Sequence, residues 1–350
     1  MTKSPTLSTT RFTCFYPSPR FWAGDFPSVL TKTRTGHSVE LNQQKLKLLH
    51  TQVFEEVLSV ENECYTLKVL RDGCVLLRVN SLEDALSDPL DTDKSVIIWN
   101  KYLNYLNTLF LLLDSSAITE ASLRLHEITT RDVFRASYEN GNFTSSPIVG
   151  ENTVSVFHLI APFSSEVGIR LLAAAVNRVV LSLDYIKKAV TEFGYVVDSP
   201  GLERTTATLA KSISEYKVGS YEICVVLSWF VIEEALNQLW KSHLDGINNA
   251  ASRGKKRINS DRMGRLTGRD YPISVVSNLL ELWGYLPITL FRRIERIRQF
   301  RNRIVHRQEL IELTSSEANL ALVTSLELME RVWRLSVRLN SGHSVLGFGN

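Results

Sequence analysis

The chain has 350 residues, 44% of them hydrophobic and 22% charged, with a formal net charge of +3. Those values exclude an intrinsically disordered chain and a membrane protein built of many spans, and the length suits about two domains. The charge identifies no partner by itself. The four cysteines, Cys14, Cys64, Cys74 and Cys224, lie far apart with no C-x-x-C pair, which argues against a zinc site or a disulfide framework and fits a reducing cytosol.

The start of the chain is rich in Ser and Thr but has no apolar stretch behind a basic segment, so no secretory signal is expected and a cytoplasmic location is predicted. Gln43–Val60 is predicted as a helix, because Leu46, Leu49, Val53 and Val57 recur at helical spacing. Cys64–Leu70 and Cys74–Val79 are β-prone runs joined by Arg71-Asp72-Gly73, a hairpin signal. Asp91–Leu113 reads as a helix, and Leu123–Tyr138 and Val154–Ile160 read as strands around the turn-rich stretch Glu139–Gly150. Strand signals stop at about Pro162. Ser164–Phe193 is predicted as one long helix, broken by Gly194–Gly201. The apolar runs Val96–Leu113 and Ile169–Leu183 contain Asn, Lys, Arg or Asp, and read as buried helices, not membrane spans.

The remainder is predicted to be helical. Tyr221, Cys224, Val225, Ile232, Ala235, Leu236 and Leu239 make Gly219–His243 amphipathic. A connection over Leu244–Pro272 leads to a short helix, Ser274–Trp283, and a turn, Gly284–Pro287. A helix then runs from Ile288 to about Glu309. Thr314-Ser315-Ser316-Glu317 forms a capping box opening a last helix that runs to about Leu339. The expected fold class is α+β: a mixed N-terminal α+β domain over 1–200, its boundary falling between 162 and 205, then an all-α bundle over 201–340 and a tail over 341–350.

The helix opening at Ile288 carries the most chemistry. Its apolar stripe runs Leu290, Ile294, Ile297, Ile304, and Arg301 falls on the same stripe. A cation in a core-facing position is costly unless something pairs with it. Arg301 therefore either bonds an acid on a neighbouring helix, with Glu233 and Glu234 as candidates, or faces a cleft or second subunit where it meets an anion. His306 follows five residues later, a rotation of about 140° on an ideal helix, so the two need not touch within one chain. On spacing alone, His306 reads as a solvated or capping residue.

Arg301-Asn302-Arg303-Ile304-Val305-His306 resembles the ribonuclease motif of the HEPN family, in which Arg and His are four to six residues apart and a polar residue, often Asn, follows the Arg. Upstream, Leu227–Leu236 is similar to the long helix of the Apea-like branch, an apolar run ending in Glu-x-Leu. The resemblance spans Gly219–Leu339 and leaves the first 160 residues unmatched. It implies a HEPN-like helical bundle, a homodimer through the helical domain, and a metal-independent endoribonuclease that needs no cofactor. Carried over by position, His306 is the general acid or base for attack of a ribose 2′-OH on the adjacent phosphate, imidazole being suited to proton transfer near neutrality. Arg301 would hold the scissile phosphate, Asn302 would orient the site, and the product would be a 2′,3′-cyclic phosphate. The resemblance also implies a bacterial toxin or phage-defence setting, with the N-terminal domain regulating the enzyme. The alternative is a non-catalytic HEPN module that binds RNA or protein, and a third reading is a structural bundle with a chance motif.

Two basic segments flank this helix. Arg253–Arg269 holds seven basic residues against Asp261, and Arg292–Arg307 holds seven Arg against Glu295. Arg253, Lys255, Lys256 and Arg257 in the first, and Arg298, Arg303 and Arg307 in the second, are the candidate RNA-binding residues. The plainer readings are a solvated, flexible loop and ion pairing between helices. Gly254, Gly264 and Gly268 make the first segment a candidate mobile lid. Seven scattered His and the absence of H-x-x-E-H or C-x-x-C motifs predict no metal site. Glu55-Glu56 and Glu233-Glu234 read as solvated pairs, and His126 and His158 as structural residues in strands. Trp229, Trp240, Trp283 and Trp333 read as core residues and not as a base-stacking platform.

Overall fold

The structure, a computed structural model, describes residues 10–28, 51–86, 92–119, 123–139, 178–250, 256–268, 270–306 and 313–339, together with the backbone of 142–147. The chain divides into two compact units, Met1–Arg204 and Thr205–Asn350.

The first unit is built on strands β1 (Arg11–Phe15), β2 (Phe21–Ala23), β3 (Glu56–Glu61), β4 (Tyr65–Leu70), β5 (Val75–Val79), β6 (Val133–Glu139), β7 (Asn142–Pro147) and β8 (Val179–Leu181). Six of them form an antiparallel sheet ordered β3-β4-β5-β1-β6-β7, while β2 and β8 pair in parallel. The hairpin at Arg71-Asp72-Gly73 is present: Gly73 has φ +83°, and a Cβ there would lie 2.7 Å from the Phe21 carbonyl oxygen. Alternation along β1 sends Phe12 and Cys14 to one face, with Leu76, Phe134 and Ala136. The other face receives helix α2 (Thr92–Ala117), whose Phe110 ring meets Phe15 at 5.9 Å. There Arg135 donates two hydrogen bonds to Glu83, at 2.7 and 2.6 Å, and one to Thr13 at 2.7 Å. Glu83 lies on α1 (Asn80–Leu86), and the hydroxyl of Tyr102 on α2 also donates to it. A bidentate, largely buried pair of this kind fixes a helix on a sheet.

Several sequence expectations are corrected here. The end of the helix predicted over Gln43–Val60 is strand β3, because pairing with β4 outweighs the local helical spacing. Of the strand predicted over Leu123–Tyr138, only β6 is a strand. Before it, Ile128 exchanges both backbone hydrogen bonds with the Asn107 side chain, at 2.7 and 2.9 Å, in place of a ladder. The stretch predicted as turn-rich contains β7, paired with β6. The single helix predicted over Ser164–Phe193 is overturned by β8. Ser182 then caps α3 (Leu183–Val197), its side chain accepting from Asp184 N–H at 3.3 Å. Val154–Ile160 lies outside the described residues.

The second unit is helical: most of α4 (Leu202–Lys217), then α5 (Tyr221–Asn249), α6 (Ser260–Leu266), α7 (Ile273–Leu282), α8 (Ile288–His306) and α9 (Ser315–Trp333). Helix α5 is the hub, packed by α7, α8 and α9. Its stripe Cys224, Val225, Ser228, Ile232, Ala235 and Leu236 is buried. It is also the one described helix long and apolar enough to cross a membrane, but half of that stretch is buried against the other helices, as in the core of a bundle. Helix α6 lies inside the segment expected to be a plain connection. The last helix ends at Trp333, not at Leu339, because Arg334 takes the left-handed conformation at φ 55°.

At the start of α9, Glu317 accepts hydrogen bonds from the Thr314 hydroxyl and, at 2.9 Å, from the Thr314 backbone N–H. These bonds hold the Glu317 carboxyl below its usual range. A depressed carboxyl contributes stability that is present above its unfolded pKa of about 4.5 and lost as pH falls through the lower folded value. Thr314→Ala is expected to cost about 1 kcal/mol at neutral pH, read as a lower Tm. The gap to the parent should narrow below pH 4.5; a gap independent of pH would assign the loss to packing.

Candidate functional site

Helices α8 and α9 are antiparallel neighbours: Arg293, thirteen residues before the end of α8, pairs with Glu327, twelve residues after the start of α9. Near the beginning of α5, Ser325 of α9 reaches the Ser228 carbonyl oxygen at 3.2 Å. Near its far end, Tyr285 bonds His243 of α5 at 2.9 Å and accepts from Arg331 of α9 at 3.4 Å. Helices α5 and α9 therefore run together and α8 runs against them. The Arg301–His306 end of α8 lies with the starts of α5 and α9.

Leu290, Ile294 and Ile297 are fully buried, but cover over the stripe is only partial at Arg301 and Ile304. Arg301 is thus a half-buried cation on an apolar stripe. Its Nη1 donates to Asn302 Oδ1 at 3.2 Å, and its Nε is buried with no hydrogen-bond partner. Neither Glu233 nor Glu234 pairs with it, so the expectation of a partner from those acids fails. Among the described residues Arg301 has no ion pair at all. His306 is exposed at the last position of α8, about 140° around the helix from Arg301. One protomer does not bring the two side chains onto one face.

Apart from Arg292, the remaining arginines of α8 fall into two groups. Arg293 and Arg298 are answered by Glu327 and Glu295, the latter at 2.8 Å. Arg296 and Arg303 flank the Phe300 ring, each with its guanidinium carbon 5.4 Å from the centroid, and Arg303 Nε is buried and unpartnered. Among the described residues neither forms an ion pair. Arg301 and Arg303, near the end of α8, thus have no ion pair among the described residues, while Arg296 helps to lower the Glu317 carboxyl from beyond ion-pair distance. Of the other candidates, Lys256 and Arg257 are exposed, while Arg253, Lys255 and Arg307 lie outside the described residues.

The lid expectation for the first basic segment is corrected over 256–268. Asn248 holds both backbone groups of Ile258, at 2.7 and 3.1 Å, and Trp240 Nε1 donates to the Leu266 carbonyl at 2.7 Å. Ile258 is buried. A segment tied at both ends to α5 is a fixed rim.

Sequence reasoning missed the ring cluster at the far end of α5, away from Arg301. Trp229 and Trp240 are core residues as expected, but Trp283 is 48% exposed. It stacks on His243 at 4.4 Å and on Trp240 at 5.6 Å, while Tyr271 stacks on Trp240 at 5.9 Å. The legible signal was Trp240 and His243 three residues apart on one helix face, with Trp283 and Tyr285 either side of Gly284.

Other titratable groups have structural surroundings. His126 is not in a strand; its Nδ1 lies 3.1 Å from the Arg124 carbonyl and its ring meets the Phe110 ring edge-on at 5.3 Å. His158 lies outside the described residues. Burial pushes the Cys224 thiol up to about 11, which removes it as a nucleophile at neutral pH. In the first unit, burial also raises the Asp72 carboxyl, against the lowering effect of Arg20 and Arg178, and Asp72 accepts from the Tyr16 hydroxyl at 2.7 Å. Among the described residues no group of three His, Cys, Asp or Glu side chains is placed to hold a metal ion. Compared with family models, curated proteins and solved structures, the chain matches none.

Because Arg301 answers no charge among the described residues, Arg301→Leu should extend the stripe and stabilise the helical unit by about 1 kcal/mol. Thermal denaturation of the purified protein reads this as a raised Tm. A lowered Tm would make Arg301 a structural tie instead.

Proposed function

We propose that the helical unit is a HEPN-type, metal-independent endoribonuclease of the cytoplasm that acts as a homodimer. The observation that carries the reading is the state of Arg301: a half-buried guanidinium with a buried unpartnered Nε and no carboxylate among the described residues. Such a group is expensive to hold and is suited to a phosphate oxygen, whose planar recognition a guanidinium matches. Asn302 holds it from one side. Arg296 and Arg303 add positive potential along a strand's path.

In the proposed reaction the ribose 2′-oxygen attacks the adjacent phosphorus. The bond to the 5′-oxygen breaks, and a 2′,3′-cyclic phosphate and a 5′-hydroxyl end result. Imidazole at His306 takes the 2′-OH proton or supplies one to the leaving oxygen, and Arg301 stabilises charge on the non-bridging oxygens. Since the two side chains diverge on one helix, a complete site takes Arg301 from one protomer and His306 from the other. The exposed apolar face of α5, Ile223 and Phe230, is 50% and 49% exposed near the same end and supports a dimer there. A bacterial toxin or defence role follows from the resemblance alone. The divergence of Arg301 and His306 also favours the second reading, a module that binds RNA or protein without cutting it.

Incubation of the purified chain with RNA in EDTA tests the reading. Cleavage should persist, should fall about 10²–10⁴-fold in His306→Ala, and should fall about 10²–10³-fold in Arg301→Ala. Mixing the two inactive variants should restore part of the activity through hybrid dimers. Binding without cleavage would support the module, and cleavage abolished by EDTA would remove the mechanism.

A further inference from the structure

Trp283 ends a pile of rings whose inner members are protected. Trp240 is 3% exposed, and the planes of Trp240 and Trp283 differ by 10°. His243 lies within 26° of the Trp283 plane, and Tyr271 within 24° of the Trp240 plane. Parallel aromatic rings with a half-exposed outer member leave π surface where another flat ring can continue the pile. The rim is polar: the Tyr285 hydroxyl, shared with His243, belongs to a residue 40% exposed.

Charge is carried on the same anchored backbone. Lys256, Arg257, Arg262 and Arg265 are all exposed on the segment tied to α5 through Asn248 and Trp240. The Trp240 indole itself makes one of those ties, so the backbone that bears the cations is held to the stack. Asp261 is the one acid among these cations.

We propose that Trp283 is a stacking site for an unpaired nucleobase of single-stranded RNA, with Lys256, Arg257, Arg262 and Arg265 holding the neighbouring phosphates. Flat apolar surface, a hydrogen-bonding edge and adjacent positive charge are the three features that single-strand binding requires. Leu282, 75% exposed next to it, would serve a protein partner too, but such a partner would not call for four cations. The assignment rests on the nuclease reading in taking RNA as the strand. Trp283 precedes α8, whose first residue, Ile288, lies about 20 Å from Arg301 by helical rise, so it binds the strand away from the scissile phosphate. It selects unpaired RNA, since a base in a duplex cannot add to the pile.

The test uses the full chain as His306→Ala, in EDTA, titrated with a single-stranded RNA of about 12 nucleotides carrying 2-aminopurine. Binding should quench the base. Trp283→Ala should weaken affinity about 5–150-fold, Trp283→Phe should keep most of it, and a duplex of the same sequence should be indifferent to either change. Equal affinity of Trp283→Ala and its parent would overturn the assignment, as would no RNA binding by the parent or an equal loss for duplex. Dissociation of a dimer by Trp283→Ala with RNA affinity unchanged would also overturn it, making the patch a protein interface. The two proposals fail separately. RNA cut by the unmodified chain with KM unaffected by Trp283→Ala sinks stacking alone. Trp283-dependent binding without any cleavage sinks the nuclease alone.

Discussion

The close approach of α5 and α9 is the constraint on which the helical unit depends. Ser325 meets the Ser228 carbonyl at 3.2 Å, and Ala318, Ala321 and Thr324 are fully buried along the same helix. On the other side of α5, Ser212 of α4 bonds the Ser228 hydroxyl at 2.8 Å and the Cys224 carbonyl at 2.9 Å. Small side chains let helix backbones come together, and their hydroxyls satisfy polar atoms that water cannot reach. A larger residue at Ser228 or Ser325 would push the helices apart and shift α8, which is joined to α9 through Arg293 and Glu327.

That frame explains why α8 can carry so many cations. Leu290, Ile294 and Ile297 supply the burial that anchors it, and two of its arginines are answered locally by Glu327 and Glu295. The rest of the helix can then carry charge that no acid within ion-pair distance answers among the described residues. The first unit treats charge in the opposite way. Arg135 is bound by Glu83 and Thr13, and Glu83 is bound again by Tyr102, so this buried pair is closed on itself. The Arg135–Glu83 pair is neutralised where it is buried, while Arg301 meets no acid among the described residues.

The parts of the fold legible in the sequence were those governed by local chemistry. The Asp-Gly hairpin, the amphipathic α5 and the Thr314–Glu317 cap depend on turn geometry, periodicity and capping within a few residues. Strand β8 was not legible because it pairs with β2, far away in the chain, whereas β3 and β7 pair with their neighbours β4 and β6 and were hidden by a local helical spacing and a turn-rich composition. Leu123, Leu125 and Ile128 are buried without a ladder, and Asn107, on another element, supplies both backbone hydrogen bonds of Ile128. The site divides in the same manner. The spacing of Arg301, Asn302 and His306 could be read directly, but the failure of Glu233 and Glu234 to answer Arg301 could not. Trp283 looked like one more core tryptophan.

By itself, the sequence determined which helix bears the cations, where its apolar stripe runs and that Arg301 stands on that stripe, since 3.6-residue periodicity fixes the face of each side chain. Only the tertiary structure decided which of those cations find an acid, that the stripe loses its cover at Arg301, and that Trp283 comes to lie half in water on His243 and Trp240. Pairing, cover and stacking are contacts between helices, and no spacing within one helix contains them.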